Sequence, residues 1–202
     1  EVYKNDKVVT FERINTEADV PFYRPMVRAD WLEEFNLEIP KTLDDYGAYF
    51  QAILDNKPGV APMITTPTVT EAERNLWMGA FDMLGSWYID NGVVKHYYDN
   101  ESFKAYLEKM NEWYTAGYIT KDFAALKQDQ INTLFDGGQL GLYSQSVDNQ
   151  YSRAQQLENF SFTSCPNPRL TEDQQLHNGP SKNRVTARYS TAISSQCENI
   201  EA

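Results

Sequence analysis

Tyr106-Leu107-Glu108-Lys109-Met110-Asn111-Glu112-Trp113-Tyr114-Thr115-Ala116-Gly117-Tyr118-Ile119-Thr120-Lys121-Asp122-Phe123 reads as a helix that stops abruptly. With Phe103 just ahead of it, Leu107, Met110 and Tyr114 recur at the spacing of one helix face and Trp113 stands beside that stripe, which predicts a helix from about Asn100. Gly117 is placed as its C-cap, because a helix commonly ends in a left-handed residue that glycine adopts without steric cost. Ile119 to Phe123 then leads to a helix ending in Ile131, Leu134 and Phe135, which Gly137-Gly138 cuts off before the apolar strand Leu140 to Tyr143. Helices alternating with short apolar strands indicate an α/β layer architecture.

Upstream the same alternation holds. Trp87 to Ile89 and Val93 to Tyr97 flank Asp90-Asn91-Gly92, the turn chemistry of a tight hairpin. Thr70 and Glu73 signal a helix start ahead of Leu76, Trp77, Ala80, Phe81 and Leu84, with Gly85 as its stop. Thr42 and Asp45 resemble a capping box for a helix carrying Leu43, Tyr46, Phe50, Ile53 and Leu54, ended by Asn56, Pro58 and Gly59. A short amphipathic helix from Arg28 carries Trp31, Leu32 and Phe35, and Val2 to Phe11, with Asn5-Asp6 in its middle, reads as a strand pair or an entering strand. Downstream, Asn149 to Leu157 suggests a helix, Phe160 to Thr163 a strand, Pro166 to Lys182 a polar loop, and Thr191 to Ser194 the last strand. A helix reads as cut short at Glu198 to Ala202, so both ends read as cut from a longer polypeptide.

Composition narrows the function classes. The 202 residues, 41% hydrophobic, suffice for the core of one domain. A net charge of −11 repels phosphate backbones and anionic lipid, which argues against nucleic-acid and membrane-surface binding. No apolar run approaches the roughly 20 residues that cross a bilayer. Cys165 and Cys197 form neither a disulfide framework nor a zinc pattern and read as unpaired thiols. No metal or cofactor site is expected.

Five patterns, in order, resemble family 1 extracellular solute-binding proteins of bacterial ABC importers, in particular the lipoprotein branch. Arg28-Ala29-Asp30-Trp31-Leu32 with Leu37, Pro40, Thr42, Asp45 and Tyr46 is similar to the family's "R-x-D-W-L…G-L-x-x-P-x-T-x-x-E-Y/F" stretch, with Asn36 where the family often has Gly. Trp87-Tyr88-Ile89-Asp90-Asn91-Gly92-Val93-Val94 resembles its "W-Y-x-D-x-G-K-V" hairpin, and Tyr106 to Phe123 its "Y-L-x-x-M-N-x-W-Y-x-x-G-L-I-x-x-D-F" segment. Phe135-Asp136-Gly137-Gly138-Gln139-Leu140-Gly141 is similar to "F-x-x-G-K-x-G/A", and Ala192 to Asn199 to "a-I-S-x-x-C-K-N-P-E", with Ile200 in place of the Pro. The resemblance implies one lobe of a two-lobed periplasmic-binding-protein-like fold, helix-rich with a small mixed sheet. In that reading residues 1–202 are a single lobe, of which residues 1–27 enter from the hinge. It further implies a monomeric, surface-anchored lipoprotein whose anchor is absent from this chain, and which delivers a small solute to ABC permease subunits. A carbohydrate is the leading solute, because aromatic faces stack on sugar rings and the net charge disfavours anions.

Segments near the cleft of such proteins correspond here to Phe22-Tyr23-Arg24, Ser86-Trp87-Tyr88 and Tyr143-Ser144-Gln145-Ser146. The candidate ligand-binding residues are therefore Tyr23, Arg24, Trp87, Tyr143, Ser144 and Gln145. For Trp87 the competing reading is packing beneath the hairpin; Trp31, Trp77 and Trp113 are expected in the core. Two other functions stay open. A sugar hydrolase would pair two carboxylates across a cleft, and a structural or adhesive fragment needs no site at all. A Cys-His nucleophile drawn from Cys165 or Cys197 and His96 or His177 lacks a supporting signature, and Gly137 to Gly141 follows a helix and precedes a strand, the reverse of a phosphate loop. No catalytic residue is assigned.

Overall fold

The computed structural model describes residues 3–4, 7–8, 11–15, 23–65, 76–83, 87–90, 92–146, 151–152, 155, 157, 161–175, 184–194 and 196–197. In chain order the elements are β1 (Tyr3–Lys4), β2 (Lys7–Val8), β3 (Phe11–Asn15), β4 (Tyr23–Arg28), α1 (Ala29–Phe35), α2 (Leu43–Asn56), β5 (Ala61–Met63), a 3-10 turn (Gly79–Phe81), β6 (Trp87–Asp90), β7 (Val93–His96) and a second 3-10 turn (Tyr97–Asp99). Then come α3 (Ser102–Ala116), α4 (Gln128–Asp136), β8 (Leu140–Ser146), β9 (Phe162–Ser164) and β10 (Arg184–Thr191). They fall into two units, residues 22–178 and residues 1–21 with 179–202.

In the larger unit four strands form a mixed sheet in the order β5-β8-β4-β9. β5 runs parallel to β8, while β4 is antiparallel to both β8 and β9. α2 begins at the capping box the sequence predicts. The Asp45 amide donates to Thr42 Oγ1 at 3.2 Å, and Asp45 Oδ2 accepts from the amides of Thr42 and Lys41 at 2.9 and 3.0 Å. Partial burial pushes the Asp45 carboxyl up, but these donors outweigh it and hold the group below its ordinary value. Asn36 caps α1 in the left-handed conformation, which asparagine tolerates better than most residues, and Gly117 does the same for α3.

The main core lies where α2, α3 and the turn at residues 76–81 meet. Trp113 packs edge-on against Trp77 at 5.1 Å and against Phe50 at 5.4 Å between ring centres, and Tyr46 meets Trp77 at 5.3 Å. Such perpendicular pairs bring positive ring edges to negative faces. This geometry revises the stripe expected on α3: Trp113 is its buried centre, whereas Leu107 and Tyr114 lie exposed on the flanks. The helical turn at 76–78 passes into the 3-10 turn and stops at Asp82, in the left-handed conformation, ahead of the stop expected at Gly85. Thr70, Glu73, Leu84 and Gly85 lie outside the described residues, as do Asn91 and Phe160. A smaller cluster joins Ile131 and Phe135 of α4 to Leu140 and Tyr143 of β8. Of the helix expected at Asn149 to Leu157, Tyr151 and Ser152 are helical and most of the rest lies outside the described residues.

In the smaller unit β1 pairs with β2, and β3 pairs antiparallel with β10. β10 corrects the sequence reading, because the strand ends at Thr191, where the expected one begins. Val185, Ala187 and Tyr189 alternate with polar residues in a segment that resembles loop by composition alone. Asn5 and Asp6 and the cut-short helix at Glu198 to Ala202 lie outside the described residues.

Candidate functional site

β4 and β8 bring two of the predicted segments side by side. Their register sets Tyr23 opposite Ser146, Arg24 opposite Gln145, Pro25 opposite Ser144 and Met26 opposite Tyr143. β5 reaches no further than Met63, opposite Leu142, and β9 ends at Ser164, opposite Met26, with one more bond from the Cys165 amide to the Pro25 carbonyl at 2.9 Å. Tyr23, Arg24, Gln145 and Ser146 therefore form a two-stranded ribbon end flanked by no other strand among the described residues. Three of the six candidate residues, Tyr23, Arg24 and Gln145, lie at this ribbon end, and Tyr143 and Ser144 lie on β8 just before it.

What holds the ribbon is a set of contacts from α1 and α2. Tyr49 accepts a hydrogen bond from the Arg28 amide at 3.1 Å and donates one to the Gly141 carbonyl at 3.0 Å, so a single buried hydroxyl ties β4 to β8. Burial raises the Tyr49 hydroxyl well above its ordinary value, which keeps it a donor. The Arg28 side chain, itself buried, reaches Asp30 Oδ1 through Nε at 2.8 Å and lies 4.2 Å over the Trp31 ring. Gly141 is demanded by space, since a Cβ there would stand 2.4 Å from Ile53 Cδ1 and 2.8 Å from the Pro62 carbonyl oxygen. The residues of "R-x-D-W-L" and of the glycine-bounded turn thus build the scaffold beneath the ribbon. Sequence reasoning missed Tyr49, although it falls three residues after Tyr46 on the same helix face.

The ribbon does not offer its residues to one side. Successive strand positions point to opposite sides of the pleat, so Tyr143 and Ser144 cannot both face one solute through their side chains. Tyr143 is only 5% exposed, with its ring 4.5 Å from Phe135 and its hydroxyl 3.3 Å from Asn132 Oδ1. Ser144 is half-buried. Phe22 and Ser86 lie outside the described residues.

Trp87 stands apart on the β6–β7 hairpin. It pairs with His96 and Ile89 pairs with Val94, and residues directly opposite share one face of a hairpin. Trp87 is 70% exposed, so it does not pack beneath the hairpin; its ring contact is His96, 4.7 Å away between centres. Ile89 and Val94 on the same face are exposed as well.

Elsewhere, a groove of about 320 Å³ lies between the start of α2 and α3, with Leu43, Phe81 and Leu170 against Asp44, Glu108 and Glu112. Lys109 pairs there with both Asp44 and Glu112. None of the candidate residues lines it. Both cysteines are free thiols, Cys165 buried and Cys197 exposed, and burial pushes the Cys165 thiol up to about 12. Among the described residues no group of three or more potential metal ligands is found, and no helix is long and apolar enough to cross a membrane.

No protein-family model matches the chain. Among curated proteins it is 30% identical over 126 residues to the polygalacturonan/rhamnogalacturonan-binding protein YtcQ of Bacillus subtilis, a match covering 58% of this chain and 25% of that protein. It is 26% identical over 142 residues to lipoprotein LipO of the same organism, covering 66% of this chain and 28% of the relative. The chain therefore spans about a quarter of the length of these relatives. Among solved structures, an extracellular solute-binding protein from Bifidobacterium longum subsp. infantis superposes with a TM-score of 0.64 at 16% identity, covering 80% of this chain and 36% of that one. The alginate-binding protein AlgQ2 gives 0.56 at 20% identity, covering 94% and 41%. The fold is accordingly a helix-rich, periplasmic-binding-protein-like α/β lobe with a small mixed sheet, and the resemblance to family 1 extracellular solute-binding proteins holds in sequence and in fold.

Proposed function

We propose that this chain is a single lobe of an extracellular solute-binding protein that captures an oligosaccharide and delivers it to the permease of an ABC importer. The observation that carries the reading is the 30% identity over 126 residues to a protein named for binding polygalacturonan and rhamnogalacturonan. In this reading the protein sits at the cell surface on a lipid anchor, as the name of the second relative suggests, and works as a monomer. Residues 1–27 enter the lobe from the hinge. Trp87 supplies an aromatic face for the sugar, and the ribbon end offers Tyr23 with Ser144 on one side of its pleat and Arg24 with Gln145 on the other. Tyr143, packed on Phe135, contributes chiefly by holding that end in place.

The relatives carry the names of binding proteins, which supports binding without turnover. Raised to about 12, the Cys165 thiol is no nucleophile near neutral pH.

A thermal-shift screen of the full-length protein against neutral and acidic oligosaccharides tests the proposal, because a ligand that binds only the native state raises the melting temperature. The expected result is a dose-dependent rise with one class of sugar, which chromatography then recovers uncleaved. No rise across the panel, or steady release of shorter sugars, would sink it.

A further inference from the structure

On the exposed hairpin we infer that His96 is the hydrogen-bond donor that orients a sugar ring lying on Trp87. This rests on the solute-capture reading above and adds to it a residue outside the predicted set. His96 and Trp87 are directly opposed in the β6–β7 register, with ring centres 4.7 Å apart and planes inclined at 66°. The His96 ring also meets the rings of Tyr97 and Tyr98, at 4.3 and 4.8 Å between centres.

The tautomer follows from one bond. His96 Nδ1 accepts from the Tyr98 amide at 3.4 Å, so in the neutral ring the proton resides on Nε2. That nitrogen is a donor with no hydrogen-bond partner among the described residues. It sits beside an indole that is itself 70% exposed.

An aromatic face next to a fixed N–H donor matches the two sides of pyranose chemistry. The C–H face of the ring lies on the indole and gains contact area, while a hydroxyl, ring oxygen or carboxylate oxygen of the same residue accepts from Nε2–H. Trp87 supplies contact without direction. His96 supplies direction, because a hydrogen bond is satisfied over a narrow range of angles. Its Nδ1 is occupied by the backbone, so the imidazole cannot turn over without breaking the bond that closes the turn after β7.

Two substitutions separate this role from a packing role. In His96→Phe the ring remains and the donor goes; in His96→Gln the side-chain amide returns an N–H near the Nε2 position. Calorimetric titration of the full-length protein with stachyose and with trigalacturonate should show H96F weakened about tenfold for the sugar that binds, H96Q recovering most of that loss, and W87A weakened at least as much as H96F. Urea unfolding of each variant checks that the fold is retained. Equal affinity of H96F and wild type overturns the assignment, as does an H96Q no better than H96F. If sugar binding persists unchanged in W87A as well, the solute sits elsewhere, and the inference falls while the proposed function stands. A wild-type protein that binds neither these sugars nor any other of the thermal-shift panel removes both.

Discussion

Trp113 and Trp87 each stand directly before a tyrosine, and they end in opposite environments. The first is 1% exposed at the centre of the core and the second 70% exposed on a hairpin. The helix places Trp113 among residues from two other elements, Phe50 and Trp77, at close perpendicular contact. On the hairpin the Trp87 ring meets that of His96, directly opposite in the register. A two-stranded hairpin has no second layer of its own on which to bury an apolar face. Exposed apolar groups clustered in this way mark surfaces that meet something else. Trp113 therefore builds the fold, whereas Trp87 is left exposed.

The largest test of that contrast is truncation of each indole. Trp113→Ala should cost about 3–5 kcal/mol, as large aromatic deletions in cores do, whereas Trp87→Ala should stay within about 0.5 kcal/mol. Urea midpoints of the two variants would break the comparison if they fell together. Next in size is Gly141→Ala, which forces a methyl against Ile53 and the Pro62 carbonyl and should cost about 1–3 kcal/mol through overpacking beneath the ribbon. A midpoint equal to wild type would show that β8 can yield there. Thr42→Ala removes half of the α2 capping box and should cost about 1 kcal/mol, with no effect on the hairpin.

A further effect concerns alkaline pH. Burial pushes the folded Cys165 thiol up to about 12 from an ordinary 9.0, and likewise raises Tyr46 and Tyr49 above 10.0. A group whose pKa is raised by folding stabilises the native state fully below its unfolded value and loses that contribution as pH climbs through the folded one. Stability should thus decline from pH 9 toward 12, and less steeply in Cys165→Ala than in wild type. Parallel curves for the two proteins would remove Cys165 as a contributor.

Much of the scaffold was legible because its signals are local. The capping box at Thr42 and Asp45, the turn at Gly92 and the left-handed stop at Gly117 each depend on residues within a few positions. The motifs that carried the family resemblance turn out to be scaffold chemistry: Arg28 is held by Asp30 and Trp31, and Gly141 is required by Ile53 and Pro62. Such residues mark a fold without marking its ligand.

Less of the candidate site could be read, since it depends on distant partners. Tyr49 matters because its hydroxyl meets Arg28 and Gly141, 21 and 92 residues away in sequence. Tyr143 and Ser144 are neighbours in the chain, but the pleat sends them to different sides, so a single predicted patch became two environments. For Trp87, strand position alone favoured packing beneath the hairpin over ligand contact. The structure resolves that choice, since Trp87 is 70% exposed and its ring meets His96.

Acrylamide quenching of tryptophan fluorescence in the full-length protein, compared with its Trp87→Phe variant, tests the central claim most directly. Trp31, Trp77 and Trp113 are buried, so the difference between the two proteins isolates Trp87. With a saturating oligosaccharide, the readily quenched Trp87 signal should become protected, since a sugar lying on the indole shields it. A Trp87 signal quenched equally with and without bound sugar would contradict the claim that this exposed face receives the solute.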